Sequence, residues 1–233
     1  MRFFGKRRGK LSRVDGDDER IVQLIGLHAA DAVIDVGANV GQYAQRLRSA
    51  GLGLPILSIE PGAKAHAVLA KASASDPNWR VAPPMALGDA SGSAQLKVNI
   101  RSDMSSLKTI AEATITAFPK AKPAGIEEVR LERLDGILAE LVDPHWKSLF
   151  LKIDSQGSEA EILRGAHGIL DRVVGVQMEM SLLPLYHGEP TYLAHVNELD
   201  RLGYDLHMVI PGFFSRLLGR QLQFDGLFFR RPS

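Results

Sequence analysis

The feature that most constrains this chain is the run Val33-Ile34-Asp35-Val36-Gly37-Ala38-Asn39-Val40-Gly41-Gln42-Tyr43. A short apolar strand over 32–36 runs into two glycines, and a helical pattern follows over 42–50. Gly37 has no Cβ, so the backbone there can approach a ligand closely. Gly41 lets the start of the helix pack tightly on the strand. A second buried strand, 55–59, ends in Ser58-Ile59-Glu60-Pro61 and leads into a helix over 62–73. An acid at that strand end can accept two hydrogen bonds from a ribose diol. Strand, helix, strand, helix in this order predicts a parallel sheet covered on both faces.

The remaining pattern extends that architecture. Asp17 and Asp18 are placed to cap a first helix whose apolar face carries Ile21, Val22, Leu24, Ile25 and Leu27. Residues 94–100 alternate apolar and polar, as a half-exposed strand does. Residues 102–125 form a long connection, often a functional element in a compact domain. Strands are expected at 128–134, 149–153 and 173–180, and helices at about 158–170 and 191–202. Strands at 204–210 and 222–229 close the chain and can pair as an antiparallel edge.

Composition removes several alternatives. A chain of 233 residues can bury a sizeable core as one large domain. It has no cysteine, which excludes disulfides, thiolate metal sites and a cysteine nucleophile. Lys+Arg 28 against Asp+Glu 27 gives no electrostatic case for nucleic acid. No apolar run approaches the ~20 residues of a transmembrane segment. Arg2, Lys6, Arg7, Arg8 and Lys10 resemble the start of a secretory signal, but Ser12, Arg13, Asp15, Asp17 and Asp18 follow where an apolar stretch is required. The expectation is a cytoplasmic protein with a basic, poorly ordered tail over 1–16 and a single domain over 17–233. The tail is a solvated terminus or a weak contact for an anionic surface.

Three ligand classes use a glycine turn of this kind. A Walker loop needs G-x-x-x-x-G-K-[ST], and no such run occurs. The dinucleotide fingerprint G-x-G-x-x-G needs a third glycine, whereas Ala38 and Asn39 stand between Gly37 and Gly41. Asp35, just before the turn, would repel a pyrophosphate but suits an ammonium or a sulfonium. S-adenosylmethionine carries both groups. An NAD(P)-dependent oxidoreductase on a similar sheet is the second reading, and a non-catalytic cofactor-binding or scaffold protein the third.

The turn resembles motif I of class I S-adenosylmethionine-dependent methyltransferases. More narrowly, a series of short motifs resembles the FkbM-type methyltransferases. They are Asp35 to Gly41, Ile59-Glu60-Pro61, Ala86-Leu87-Gly88-Asp89 with Gly92, Ser105-Ser106-Leu107, Leu134-Asp135, the block Leu151 to Glu159, Glu179 and Gly203-Tyr204. The block Leu151 to Glu159 is similar to K-I-D-x-E-G-x-E, with Gln156 where the family usually has Glu. An amide is no base and a poor ligand for a hard cation. The resemblance implies a Rossmann-like class I methyltransferase fold: α/β, a single doubly wound, mostly parallel seven-stranded sheet with an antiparallel C-terminal edge. It implies S-adenosylmethionine as cofactor and O-methylation of a small-molecule or saccharide hydroxyl acceptor. The implied cofactor-binding residues are Asp35, Gly37, Ala38, Asn39, Gly41, Tyr43, Glu60, Pro61, Gly88, Asp89 and Ser106. Among them Glu60 is expected on the ribose and Asp89 on the adenine amino group.

Catalysis is expected where strands end. Asp154 and Glu179 close two strands that should be adjacent and parallel, so their carboxylates point into one crevice. Convergent carboxylates repel unless a proton or cation lies between them. Mg²⁺ held by Asp154 and Glu179 would relieve that repulsion and acidify a bound hydroxyl. The alternative is that Asp154 caps the following helix while Glu179 pairs with Lys152. His187, in the loop after the Glu179 strand, is the candidate general base or third polar contact. Phe213 and Phe214 are expected in packing or in a homodimer contact.

Overall fold

The computed structural model describes residues 16–111, 114–115 and 123–232. The basic tail predicted over 1–16 therefore lies outside the described residues, apart from Gly16. The predicted connection over 102–125 is described only in part.

Helix α1 (Asp17–Leu27) leads into strand β1 (Ala32–Val36), helix α2 (Gln42–Ser49), β2 (Ile56–Ile59), α3 (Ala63–Ser73) and β3 (Trp79–Val81). Short β4 (Ala86–Leu87) precedes β5 (Gly92–Asn99) and β6 (Pro123–Glu132). Then follow α4 (Leu134–Leu141), β7 (Leu149–Ile153), α5 (Glu159–Gly165), β8 (Val173–Ser181), α6 (Tyr192–Arg201) and β9 (Tyr204–Pro211). A hairpin of β10 (Phe214–Ser215) and β11 (Arg220–Gln221) leads to β12 (Gln223–Arg230).

Seven strands form the central sheet in the order β3-β2-β1-β7-β8-β12-β9. The pairs from β3 to β8 are parallel, and β12 runs antiparallel to both β8 and β9. This is the doubly wound sheet with an antiparallel C-terminal edge that the sequence predicts. All five residues of β1 and of β7 are buried. Both faces of these strands are covered, which is why they show continuous apolar runs rather than alternation. Leu151 and Ile153 belong to the core on one face; Val33 and Phe150 belong to the core on the other, with Ile21 and Ile25 of α1. Truncating a fully buried leucine such as Leu151 to alanine would cost about 2–5 kcal/mol.

Three details differ from expectation. Gly16, not Asp17 or Asp18, holds the N-cap position of α1, without a side-chain cap. The acids instead sit in the first turn, where the helix dipole favours negative charge. Strands β5 and β6 leave the main sheet and form a separate three-stranded sheet with β4. Their alternating pattern fits this sheet, which buries few residues beyond Ala86, Leu96 and Val129. The helix after β7 stops at Gly165, where Gly88 O lies 1.9 Å from where a Cβ would stand, and the chain continues as a 3-10 turn over His167–Arg172.

Candidate active site

The carboxyl ends of β1, β2, β7 and β8 open into one cavity of about 330 Å³. That volume is typical of small-molecule sites. The glycine turn forms its floor. Gly37 has φ +74°, and a Cβ there would lie 1.7 Å from the Asp154 carbonyl oxygen. Only glycine fits between β1 and the end of β7. Gly41 has φ +91°, and its Cβ would lie 2.8 Å from the Trp79 ring. Gly41 thus serves close packing, whereas Gly37, expected to admit a ligand, is required by the close approach of the β7 end.

Glu60 is buried beside this turn. Its Oε2 accepts the Asn39 N–H at 2.8 Å and its Oε1 accepts the Gly62 N–H at 2.8 Å. Burial pushes its carboxyl up, while those N–H bonds pull the other way. Each oxygen keeps a second lone pair for a ligand hydroxyl. Asn39, held at φ +49°, lines the cavity with a buried Oδ1 that has no hydrogen-bond partner. A buried acceptor of that kind needs a donor. Met85, Leu87 and Leu96 supply an apolar wall. An acid for a ribose diol, an orphaned acceptor and an apolar slot together fit an adenosyl ligand.

The other end of the cavity is built by the loop after β7. Gln156 adopts φ +58° and Gly157 φ +101°. A Cβ at Gly157 would lie 2.9 Å from Tyr186. Left-handed backbone at a non-glycine residue is costly and persists only when its surroundings impose it. Glu159 imposes it: its carboxylate accepts Ser155 N–H, Ser155 O–H and Gly157 N–H at 2.8–3.2 Å. Burial pushes the Glu159 carboxyl up to about 7. Ser106 fastens the same loop by donating to Gln156 O at 2.6 Å.

Held in this way, the Gln156 amide bridges the two carboxylates. Its Nε2 donates to Asp154 Oδ1 and to Glu179 Oε2, each at 2.8 Å. Gln223 Nε2 also donates to Glu179 Oε2 at 2.8 Å. Both amides fall on Oε2, and Glu179 lines the cavity. Burial raises Glu179 well above the usual carboxylate range, and Asp154 and Asp225 add to the rise. The Gln156 amide hydrogens fill the place between the carboxylates that a cation would take, and an amide N–H repels a cation. The expected Mg²⁺ between Asp154 and Glu179 does not fit this donor set. Among the described residues, no group of three or more His, Asp or Glu side chains converges as metal ligands.

A polar ladder runs beneath the cavity across the sheet. Ser58, Asp35, Lys152 and Gln177 are in register on β2, β1, β7 and β8. Lys152 Nζ lies 3.0 Å from Asp35 Oδ1 and 3.5 Å from Asp154 Oδ2. Ser58 donates to Asp35, and Tyr43 donates to Gln177 at 2.7 Å. Burial alone would lower the Lys152 ammonium, but Asp35 and Asp154 hold it above its ordinary range.

Of the residues singled out in the sequence, Gly37, Asn39, Glu60, Pro61, Ser106, Asp154 and Glu179 line the cavity. Asp35 does not: it is fully buried behind the turn, paired with Lys152. Ala38, Gly41 and Tyr43 are buried in packing. Gly88 is buried away from the cavity, with its N–H on Glu132 O. Asp89 is exposed and paired with Arg164 at 2.9 Å, because its turn faces solvent. His187 is exposed, and the tight turn it shares with Gly188 aims its neighbour inward instead. That neighbour, Tyr186, is buried and donates to Gln156 Oε1 at 2.8 Å. Glu189 shapes this turn by accepting Ser181 O–H, Leu185 N–H and Tyr186 N–H. Tyr186, Phe213 and Gln223 line the cavity without having been foreseen there. Position after β8 and at the start of β12 was the only available signal for Tyr186 and Gln223.

The sheet order, the glycine turn and the acid ending β2 define the class I methyltransferase fold. Residues 35–206 match the methyltransferase FkbM domain, and the chain belongs to that family. It is an S-adenosylmethionine-dependent methyltransferase, which removes the nicotinamide alternative. Two solved structures show the fold alone. Magnesium protoporphyrin IX methyltransferase from Synechocystis PCC 6803 is 8% identical, with a TM-score of 0.51 over 91% of this chain and 76% of that one. An rRNA methylase from Streptococcus thermophilus is 10% identical, with a TM-score of 0.50 over 96% of this chain and all of that one. No curated protein matches the sequence. Among the described residues, no helix is long and apolar enough to cross a membrane.

Proposed function

We propose that this methyltransferase acts on a hydroxyl of a small-molecule or saccharide acceptor, with Glu179 as the proton acceptor. The observation that supports it is that Glu179 lines the cavity while two amides hold its Oε2. Glu60 receives the ribose hydroxyls, and Asn39 Oδ1 takes a donor from the ligand. When bound, S-adenosylmethionine supplies an electrophilic methyl carbon whose bond to sulfur breaks, with its electron pair going to sulfur, as the acceptor oxygen bonds to carbon.

The chain's own residues place and deprotonate that oxygen. An ordinary carboxylate is a weak base for a hydroxyl, and burial makes Glu179 a stronger one. Gln156 and Gln223 orient the carboxylate, and Tyr186 orients Gln156. Phe213 and Leu185 narrow the acceptor end and exclude water. Proximity and alignment supply much of the remaining rate.

The test is mass spectrometry of hydroxylated metabolites and glycans incubated with labelled methyl donor. A product whose label sits on oxygen, formed by wild type and lost in Glu179→Gln, supports the reading. Label on nitrogen or carbon alone would overturn it.

A further inference from the structure

We propose that Asp225, which no step above uses, sets the preference of the site for the cationic methyl donor over its neutral product. It does so by adding a negative charge beside Asp154 and Glu179 that the sulfonium offsets and the product's sulfur does not. The inference rests on the reading that Glu179 stands beside the transferred methyl. Asp225, on β12, lies directly opposite Glu179 of β8 in the antiparallel register, and Asp154 follows the last residue of the adjoining β7. Opposed residues share a face of the sheet. Asp154 and Glu179 line the cavity, and Asp225 is half-buried next to them. Its setting repeats theirs. Tyr186 engages Gln156 Oε1, which turns the amide hydrogens to Asp154 and Glu179. Tyr43 likewise donates to Gln177 Oε1 at 2.7 Å, and the Gln177 side chain hydrogen-bonds Asp225. In both places a phenol fixes an amide so that its hydrogens favour an ionised carboxylate.

Those amides are neutral and leave the charge unbalanced. Asp35, Asp154, Glu179 and Asp225 gather around Lys152, the only buried lysine or arginine among the described residues. Its nearest carboxylate is that of Asp35, at 3.0 Å. Arg46 of α2 also acts on Asp225, but it is exposed and paired with Asp18. Glu159 of α5 adds a further negative charge toward Glu179. Acids elsewhere have an arginine to themselves: Asp76 has Arg48, Asp89 has Arg164 and Asp135 has Arg133. The excess shows in the protons. Burial and the Asp154 charge push Asp225 up to about 6. Burial, with Asp154 and Asp225, pushes Glu179 well above the usual carboxylate range.

Buried charge without a counter-charge is costly, so a cation entering the cavity is stabilised beyond its contacts. A divalent metal is poorly suited, because the Gln156 amide hydrogens lie between Asp154 and Glu179. A sulfonium is a single, permanent charge that needs no set of ligands. The methyl donor and its product are otherwise the same molecule, ammonium and carboxylate included, so this charge is what tells them apart. By linkage, the ratio of the two affinities rises with pH as the carboxylates ionise. The same preference favours exchange of spent product for fresh donor.

The experiment is calorimetric titration of the full chain with S-adenosylmethionine and with S-adenosylhomocysteine, without acceptor, at about pH 5.5 and about pH 8. Wild type is expected to bind the donor about tenfold tighter than the product at the higher pH, and by a much smaller ratio at the lower. Asp225→Asn should lose most of that preference through weaker donor binding, while product binding holds. Asp225→Glu restores the charge and should keep the preference. Thermal midpoints check that the variants are folded. A wild-type ratio that does not change with pH, or a preference that survives in Asp225→Asn, overturns the proposal. So does equal weakening of both ligands, which would make their shared ammonium the cation that Asp225 serves. Failure of the base assignment looks different. Turnover kept in Glu179→Gln, with the preference lost in Asp225→Asn, removes Glu179 as base and leaves the charge selection standing. Turnover lost in Glu179→Gln, with the preference intact in Asp225→Asn, does the reverse.

Discussion

Tyr186 donates its phenolic hydrogen to Gln156 Oε1 at 2.8 Å, and this one bond decides which end of the amide faces the carboxylates. With Oε1 so engaged, both Nε2 hydrogens are available to Asp154 and Glu179. The reverse orientation would set an amide oxygen against two acids. A neutral donor pair thus separates charges that would otherwise repel.

Gln156→Glu should undo this arrangement. The new acid would face Asp154, Glu179 and, at a distance, Glu159. Stability is expected to fall by about 1–3 kcal/mol, the usual cost of a lost buried hydrogen-bond partner. Three convergent carboxylates would also form a cation site that the wild type lacks. Mg²⁺ should therefore raise the thermal midpoint of Gln156→Glu but not of wild type, and excess chelator should leave wild-type activity unchanged.

Glu179→Gln keeps the shape of the site but removes its proton acceptor. Turnover should drop by about 10²–10⁴-fold, while S-adenosylhomocysteine binds as in wild type by thermal shift. Glu179 accepts a proton only when ionised, and burial with Asp154 holds its carboxyl high. kcat/KM should accordingly rise with pH through a value above the ordinary carboxylate range, then level off. Asp154→Asn removes a like charge, so the acidic limb of that profile should move to lower pH. An acidic limb that stays in place would sink the assignment.

Glu60→Ala removes an acceptor of two backbone N–H groups and of the expected ribose hydroxyls. In wild type, S-adenosylhomocysteine at about 100 times its dissociation constant should add roughly 2.7 kcal/mol of stability. Most of that gain should vanish in the variant. Gly37→Ala tests the other wall: its Cβ would strike the Asp154 carbonyl, and φ +74° is unsuitable for alanine. A loss of about 3 kcal/mol in urea unfolding is expected.

The sheet was legible because period and punctuation mark it. Apolar runs at 32–36, 55–59 and 149–153 ended by turn residues could only be buried parallel strands. Asn39, Glu60, Asp154 and Glu179 reach the cavity because a strand end fixes where the next side chains point. Loop residues carry no such rule. His187 and Tyr186 are adjacent in sequence, yet Glu189 turns one to solvent and the other to Gln156. Asp89 belongs to the Ala86-Leu87-Gly88-Asp89 signature, but only Ala86 and Leu87 of it reach the cavity. Asp35 sits at a strand end like Glu60, but it lies one residue before Val36 and its side chain lies in the polar ladder beside Lys152.

That last contrast yields a test. If Asp35 were a ligand contact, Asp35→Asn would weaken S-adenosylhomocysteine binding and leave stability nearly intact. The ladder predicts the opposite. Asp35 is fully buried and Lys152 nearly so, at 3.0 Å, and when Asp35 loses its charge Lys152 keeps the longer 3.5 Å ion pair with Asp154 and its bonds to the Val36 and Gly37 carbonyls. Breaking a buried pair from one side leaves a poorly compensated ion, with an expected cost of about 3–5 kcal/mol. Removing both charges is much cheaper, because each ion no longer needs the other. Asp35→Asn/Lys152→Met should thus recover a large part of the stability lost in Asp35→Asn, measured as a double-mutant cycle in urea. Binding of S-adenosylhomocysteine to folded Asp35→Asn should change far less than in Glu60→Ala. A variant with wild-type stability and lost binding would return Asp35 to the ligand site.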